Sequence, residues 1–415
     1  MKRLFGSWIF IVLMILVDFY VFQALKLVTD SLSPRYRITI HVVYWSFTVV
    51  AVSLFLLIPY VGFQQLPVFV KTYVFPVILG FFIAKIIASL FFILDDLRRI
   101  LQWGGGRILQ MTGSVEKSSD DSVSRSVFLS WLGIGIGGSL FGSLLYGFTN
   151  KYRYRVEKVK LGFEHLPSAF KGIKIVHLSD IHSGSLTDVN AVEKGIKKIM
   201  ALKPDIIFFT GDLVNNVADE MDELKKVFSG LSAPMGVYSI LGNHDYGDYV
   251  QWESVDAKKA NLDKLKSIHN EMGWRLLLNE HVALEKDGQS IALIGIENWG
   301  AKANFSRYGD LSSAYRGAEN YPFKILLSHD PSHWEAEVCK NYRDIDLVFS
   351  GHTHGMQFGV EIPGFRWSPV QYVYKQWAGL YHNDHQKLYV NRGFGFLGYP
   401  GRVGILPEIT YLELT

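Results

Sequence analysis

The sequence is short of cysteine and of net charge, and each shortage excludes something. Cys339 is the single cysteine among 415 residues, so no internal disulfide can form. That fits a reducing compartment without requiring one. Lys and Arg number 42 against 39 Asp and Glu, a balance that supplies no basic footprint for a nucleic-acid partner. No repeat or run of broken helices suggests a transporter. Long apolar runs are missing from everything after residue 150, although 49% of the chain is apolar and its mean hydropathy is +0.14.

What is present before residue 150 is therefore concentrated. Four apolar runs, Leu4 to Phe22, Ile38 to Tyr60, Tyr73 to Leu94 and Val127 to Phe148, are each long enough to cross ~30 Å of hydrocarbon as a helix. A first run of this length followed by three more does not fit a cleaved signal peptide. Residues 1–150 read as a four-helix transmembrane region in a plasma (inner) membrane, with the lipid bilayer as partner. Asp18 and Lys85 lie within the first and third runs, where charge is costly; they pair with each other, or each sits near a helix end or a packed interface. Glycines 133, 135, 137, 138 and 142 allow the fourth helix to pack closely. Residues 113–126 read as a solvated loop, and Lys151 to Arg155 as an interfacial anchor alternating basic and aromatic residues. The positive-inside rule leaves sidedness open, with eight Lys and Arg residues on either side.

From Leu161 onward, short apolar runs alternate with amphipathic stretches. Lys174 to Leu178, Asp205 to Thr210, Val237 to Leu241, Ile291 to Ile296, Phe323 to Ser328 and Asp346 to Ser350 read as buried strands. Helical spacing covers Asp188 to Leu202, Asp219 to Phe228 and Asp256 to Met272. Alternating strands and helices imply an α/β domain over 151–415, with a second sheet after Trp274.

The polar residues keep a register with those strands. Asp180 and His182 follow the first, Asp212 the second, Asn243 and His244 the third, His329 the fifth, and His352 and His354 the sixth. The carboxyl ends of strands are where α/β sheets bind ligands. In Asp180-Ile181-His182 and His352-Thr353-His354, alternation sends both side chains to one side of an extended backbone. Glycines 211, 242 and 351 allow sharp turns just before the ligands. Imidazoles, carboxylates and an amide oxygen form a nitrogen and oxygen donor set suited to Mn, Fe, Zn or Co, with no thiolate. The remaining histidines, among them His177, His269 and His333, read as core or loop residues.

In this order the motifs DxH, GD, GNHD, an isolated His and GHTH resemble the calcineurin-like metallophosphoesterase superfamily. Ser179 to Gly184 and Tyr389 to Gly393 resemble its membrane-anchored, YkuE-like branch. The resemblance implies a four-layer α/β/β/α sandwich and two divalent ions, Mn foremost, with Fe, Zn, Co or Mg as alternatives. By motif, Asp180, His182 and His354 would hold the first ion, Asn243, His329 and His352 the second, and Asp212 both. A hydroxide between ions ~3.5–4 Å apart would attack phosphorus, with His244 protonating the leaving oxygen. Relatives often read GDxxD, the second Asp orienting the catalytic His; here that position is Asn215, whose amide accepts a hydrogen bond but cannot raise a partner imidazole's pKa as a carboxylate would. GHTHGGQ appears as GHTHGMQ, so Met356 either fills a gap or forms an apolar wall for a lipid.

The function expected is a membrane-anchored phosphoester or pyrophosphate hydrolase acting on a lipid-linked substrate. Relatives of the branch are associated with UDP-2,3-diacylglucosamine, a lipid A precursor facing the cytoplasm; other phospholipid or cell-envelope phosphoesters are the alternative. A non-catalytic membrane receptor or scaffold with a vestigial metal site is the reading from another class, and protein partners are unassigned. The late aromatics Phe365, Trp367, Tyr372, Tyr374, Trp377 and Tyr381 form either a packed sheet edge or a lipid-facing rim, and Arg392 and Arg402 either contact a phosphate or headgroup or, as the default, are surface arginines.

Overall fold

A computed structural model describes residues 2–62, 65–67, 69–111, 121–302 and 305–415 of the chain, which divides into two compact units, Met1–Tyr146 and Gly147–Thr415. Four helices build the first: α1 (Lys2–Thr29), α2 (Pro34–Val61), α3 (Phe75–Met111) and α4 (Asp121–Gly147). Segments Trp8–Thr29, Pro34–Val61, Val70–Gly104 and Ser126–Asn150 are long and apolar enough to cross a membrane. Ile9, Leu16, Val49, Tyr60, Leu94 and Phe128 point outward and exposed, a surface suited to hydrocarbon rather than water.

All four helices extend past an end of their apolar runs, α3 and α4 with polar residues. α3 continues past Leu94 because its polar extension pairs with itself: Arg98 Nη2 donates to Asp95 Oδ1 (2.8 Å) and Arg99 Nε lies 3.1 Å from Asp95 Oδ2. α4 already begins at Asp121, which shortens the loop expected at 113–126; residues 112–120 lie outside the described ones. Gly133 and Gly137 face the Ala88 and Ala84 carbonyls of α3, where a Cβ would stand only 2.9 and 2.7 Å away. Small residues at that spacing let two helix backbones approach.

Asp18 and Lys85 meet deep in this unit. Lys85 Nζ and Thr48 Oγ1 donate to the two oxygens of the Asp18 carboxylate, and the Tyr44 hydroxyl donates to its main-chain oxygen (2.9 Å). Lys85 Nζ also stands 4.2 Å from the Phe81 ring centroid. One buried carboxylate therefore ties α1, α2 and α3 together.

The second unit takes its layers from alternation. Its first sheet has the order β1 (Arg155–Leu161), β14 (Glu408–Leu414), β2 (Lys174–Leu178), β3 (Ile206–Thr210), β4 (Val237–Ile240), β5 (Arg275–Leu276). The second runs β12 (Gly379–Asn383), β13 (Gln386–Val390), β9 (Leu347–Ser350), β8 (Lys324–Leu327), β7 (Gln289–Gly295), β6 (Glu280–Lys286). A separate ribbon pairs β10 (Val360–Ile362) with β11 (Phe365–Trp367). Ile175, Phe208 and Ile240 of the first sheet pack on Leu293, Leu327 and Phe349 of the second, which places the sheets face to face. Their neighbours Val176, Ile207 and Phe209 turn the other way, onto α5 (Val189–Met200) and α7 (Val255–Glu271). Ile294, Leu326 and Val348 likewise cover α8 (Leu311–Tyr315). The result is the α/β/β/α sandwich.

Two local expectations change. Residues 219–228 form a 3₁₀ turn at Ala218–Met221 and a short α6 (Lys225–Phe228), because the Glu220 carboxylate reaches back to the main-chain N–H groups of Asn215, Asn216 and Val217. The aromatics of 151–155 serve the domain itself. Tyr154 stacks on Phe394 (4.2 Å between centroids), and the Tyr152 hydroxyl accepts from the N–H groups of Thr187 and Asp188.

Removing one partner of a buried ion pair strands the other, so Lys85→Met is expected to cost ~3–5 kcal/mol of stability. Asp18→Asn combined with Lys85→Met should recover most of it. Thermal unfolding of the full-length chain in detergent checks this; a single variant as stable as wild type would show that the pair does not hold the helices.

Candidate metal centre

β2, β3 and β4 run parallel in one sheet, and β8 and β9 run parallel in the other. Their carboxyl ends release Asp180, His182, Asp212, Asn243, His244, His329, His352 and His354, and those loops converge. Five of these residues take left-handed backbone angles: Asp180 (φ 53°), His182 (50°), Asp212 (61°), His352 (72°) and His354 (51°). Non-glycine residues held there cost ~1–3 kcal/mol each, a strain that gathers at functional sites. Of the three glycines expected to make turns, only Gly211 has positive φ (91°); Gly242 and Gly351 leave room instead, since a Cβ on either would collide with Asp212 or Ser179.

The side chains form two joined groups. Asp180, His182 and His354 make one and Asp212, His329 and His352 the other, with the facing atoms of each group all within 4.8 Å. His182 Nε2 lies 3.0 Å from His354 Nε2, whose distance to Asp180 Oδ1 is 3.3 Å. Asn243 Oδ1 and His352 Nδ1 approach His329 Nε2 at 3.1 and 3.2 Å. Asp212 Oδ2 faces both groups, 3.6 Å from His182 Nε2 and 3.2 Å from His329 Nε2. Asp180, His182 and His329 are completely buried. Oxygen and imidazole donors crowded this closely, away from water, suit divalent cations.

Three imidazoles have their other nitrogen occupied, which fixes the nitrogen that faces the group. His329 Nδ1 donates to the Thr210 carbonyl (2.7 Å), and His182 Nδ1 to Asn215 Oδ1 (3.1 Å). The Tyr374 hydroxyl donates to Asp330 (3.3 Å) and so accepts from His352 Nε2 (3.0 Å). Such outer partners set tautomer and ring orientation in metal sites. Asn243 is oriented the same way, its Nδ2 donating to the Tyr249 hydroxyl (2.8 Å) and leaving Oδ1 inward. Burial holds His182 well below the usual imidazole range and lowers His352, with Asp330 partly opposing the latter. Burial alone would raise Asp212, but His329 and His244 outweigh it and hold the carboxyl low.

Asn215 acts differently from expectation. His244 Nδ1 is bonded to the Asn215 main-chain oxygen (2.7 Å), while the Asn215 side chain turns to His182 and Ser185. A carbonyl only accepts, so His244 Nδ1 carries the hydrogen and Nε2 is left for proton exchange. Any side chain at 215 retains that carbonyl, so this contact to His244 does not require a carboxylate at the position.

Several contributors went unassigned in the sequence. Asp245 accepts from the N–H groups of Gly242 (2.8 Å), Asp212 (2.9 Å), Leu213 (2.8 Å) and Val214 (3.3 Å), clamping two ligand loops together. Burial and the nearby Asp212 raise its pKa to about 7, against which those donors favour the charged form. Asp245 lies inside the GNHD motif and Asp330 directly follows the isolated His329; nothing in the sequence flags Tyr249, and Tyr374 is there only one of the late aromatics. Arg392 and Arg402 are buried rather than superficial: Arg392 pairs with Glu408 and Glu361, and Arg402 donates to the carbonyls of Arg392 (2.6 Å), Gly393 (3.1 Å) and His354 (3.3 Å).

Comparison with known proteins matches this arrangement. A family model of calcineurin-like phosphoesterases covers residues 173–356, and a model of a probable calcineurin-like phosphoesterase transmembrane domain covers 2–151. The metallophosphoesterase YkuE of Bacillus subtilis, described as uncharacterized, is 30% identical over 253 residues, 60% of this chain and 81% of that protein. The chain belongs to the calcineurin-like metallophosphoesterases. A transmembrane protein with metallophosphoesterase domain from Danio rerio is 27% identical over 74% of this chain and 67% of its own length. UDP-2,3-diacylglucosamine pyrophosphatase LpxG of Chlamydia muridarum is 27% identical over 55% of this chain and 81% of its own. This calcineurin-like metallophosphoesterase is an integral membrane protein and a metal-dependent phosphoester hydrolase of a family that uses a dinuclear centre.

Metal uptake should depend on pH. Burial favours neutral His329, but the Asp212 carboxylate 3.2 Å away outweighs it and pushes the imidazole up to about 10. Metal must displace that proton, and raising the pH removes the competitor. Affinity of the metal-free protein for Mn is therefore expected to climb about tenfold per unit between pH ~7 and ~9. Calorimetry in buffers of different ionisation heat reads both affinity and proton release; an affinity flat with pH would show His329 to be neutral.

Proposed function

We propose that this metallophosphoesterase hydrolyses a phosphoester or pyrophosphate bond of a lipid-linked substrate, with UDP-2,3-diacylglucosamine as the first candidate. The observation that carries the reaction is the single carboxylate oxygen of Asp212 lying within 3.6 Å of imidazoles from both groups. In this reading Asp180, His182 and His354 would hold one ion, Asn243, His329 and His352 a second, and Asp212, which faces both groups, would serve both. The hard and borderline donors favour Mn, with Fe, Zn, Co or Mg as alternatives. Bound divalent ions supply a nucleophilic water at neutral pH and neutralise phosphoryl charge.

The protein's own groups do the rest. Asn215, Thr210 and Tyr374 fix the imidazoles of His182, His329 and His352, so no ring has to reorient during turnover. His244 acts as the acid in its doubly protonated form, giving the Nε2 proton to the departing oxygen while Nδ1–H stays bonded to Asn215 O. Four candidate spans in the same chain favour a substrate that resides in the bilayer, and LpxG, whose name gives that pyrophosphatase activity, aligns over 81% of its length. The nucleotide substrate faces the cytoplasm, so this assignment requires the metal centre on that side; an external one leaves other phospholipid or envelope phosphoesters.

A panel of lipid pyrophosphates, phosphatidyl diesters and aryl esters, offered to full-length Mn-loaded protein, tests the assignment. Hydrolysis of the lipid pyrophosphate should dominate, and His352→Ala should fall by roughly a thousandfold, ~4 kcal/mol in barrier. Dominant turnover of phosphatidyl diesters would replace the substrate, and equal rates for wild type and variant would overturn the mechanism.

A further inference from the structure

The ribbon β10–β11 is built inside out. Residues directly opposed in an antiparallel pair share a face, and here Val360 opposes Trp367 while Ile362 opposes Phe365. One face is thus wholly apolar, and Glu361 with Arg366 makes the other. On a domain surrounded by water the apolar face of such a ribbon turns inward. This one does the reverse. Glu361 pairs with Arg392, and the Arg366 guanidinium lies over the rings of Trp377 (5.1 Å) and Tyr381 (5.8 Å). Val360, Ile362 and Phe365 are 41, 58 and 54% exposed. Pro363 and Gly364 form the turn, Gly364 taking the positive φ (79°) that a Pro–Gly turn requires.

The exposure is concentrated. Nine large apolar side chains are exposed among the described residues of Gly147–Thr415, and six of them fall between Met356 and Val373. Met356 is among these, 57% exposed, so it does not fill a gap. The ribbon is rooted on the residues that open the second unit. Gly359 N donates to Val403 O (2.9 Å) and Val403 N to Gln357 O (2.8 Å). The adjacent Arg402 N donates to Gly147 O (2.9 Å), and Asn150 Nδ2 to Arg402 O (3.2 Å). Gly147 and Asn150 belong to the candidate span Ser126–Asn150. From 356 to 378 the sequence holds one acid, Glu361, and two bases, Arg366 and Lys375; Glu361 pairs with Arg392, and Lys375 Nζ lies 3.8 Å from Glu335. The stretch therefore presents no excess of acid to a lipid surface.

We propose that the apolar face of this ribbon lies in the headgroup layer of the bilayer, as an interfacial anchor that holds the metal-bearing loops at the lipid surface. The link to the metal centre is short in both directions along the chain. Met356 comes two residues after His354, and the same excursion returns through Tyr374, which is bonded to His352. A second protein chain is the less suitable occupant, because six side chains fall far below the ~20–30 residues a side that a stable interface uses. The inference rests on membrane anchorage and on the ribbon's register, and is independent of which phosphoester is cleaved.

The test reads lipid contact instead of turnover. Ile362→Cys and Phe365→Cys are made separately in a Cys339→Ser background, labelled with a polarity-sensitive fluorophore and reconstituted as full-length protein. The vesicles contain phosphatidylcholine, phosphatidylglycerol and lipids spin-labelled near the headgroup. Val255→Cys, at a position 84% exposed outside the ribbon, is the reference. Both ribbon labels should be blue-shifted and quenched several-fold more than the reference. Quenching no greater than at Val255 would overturn the proposal. A blue shift without lipid quenching would also overturn it, since a second copy or another protein would then cover the face.

Discussion

One carboxylate oxygen organises the catalytic unit. Asp212 Oδ2 stands between His182 and His329, residues released by strands of different sheets, so both sheets must deliver their loops to one point. A negative charge in a fully buried setting is costly unless opposed, and the crowd of imidazoles around it opposes it. The other Asp212 oxygen accepts from the His244 main-chain N–H (2.9 Å), so the same carboxylate also sets the third loop. The position of three loops, and with them the proposed metal ligands and the proposed proton-transfer group His244, is thereby coupled through one side chain.

The sandwich makes that geometry affordable. Five strained backbones sit at the carboxyl ends of fully buried strands, and a rigid two-sheet core of residues such as Phe208, Phe349 and Leu327 gives them no route to relax. Asp245 converts four main-chain donors into a clamp across two loops, and Tyr374 reaches in from the excursion that carries the ribbon. The membrane unit uses a similar device, with Asp18 as the buried carboxylate on which three helices converge.

Strand-end polar residues were legible in the sequence because buried strands are short apolar runs and their ends are abrupt. The same contrast revealed four membrane helices and the two-sheet domain. Less legible was anything depending on which atom of a residue is used. Asn215 was visible as the substituted position, yet its main-chain oxygen serves His244 and its amide serves His182, a division that only backbone geometry settles. Arg392 and Arg402 looked superficial because arginine usually is; their burial follows from Glu408 and from a cradle of carbonyls distant in sequence. Phe365 and Trp367 stand out in the sequence as a sheet edge or lipid-facing rim, but that they share one face of a ribbon with Val360 and Ile362 is defined by register, not by composition.

The proposed sharing of Asp212 by two ions in one centre is tested most directly by metal analysis with electron paramagnetic resonance of full-length Mn-loaded protein. Two Mn ions per chain with an exchange-coupled spectrum are expected. One ion per chain, or two with uncoupled signals, would contradict it.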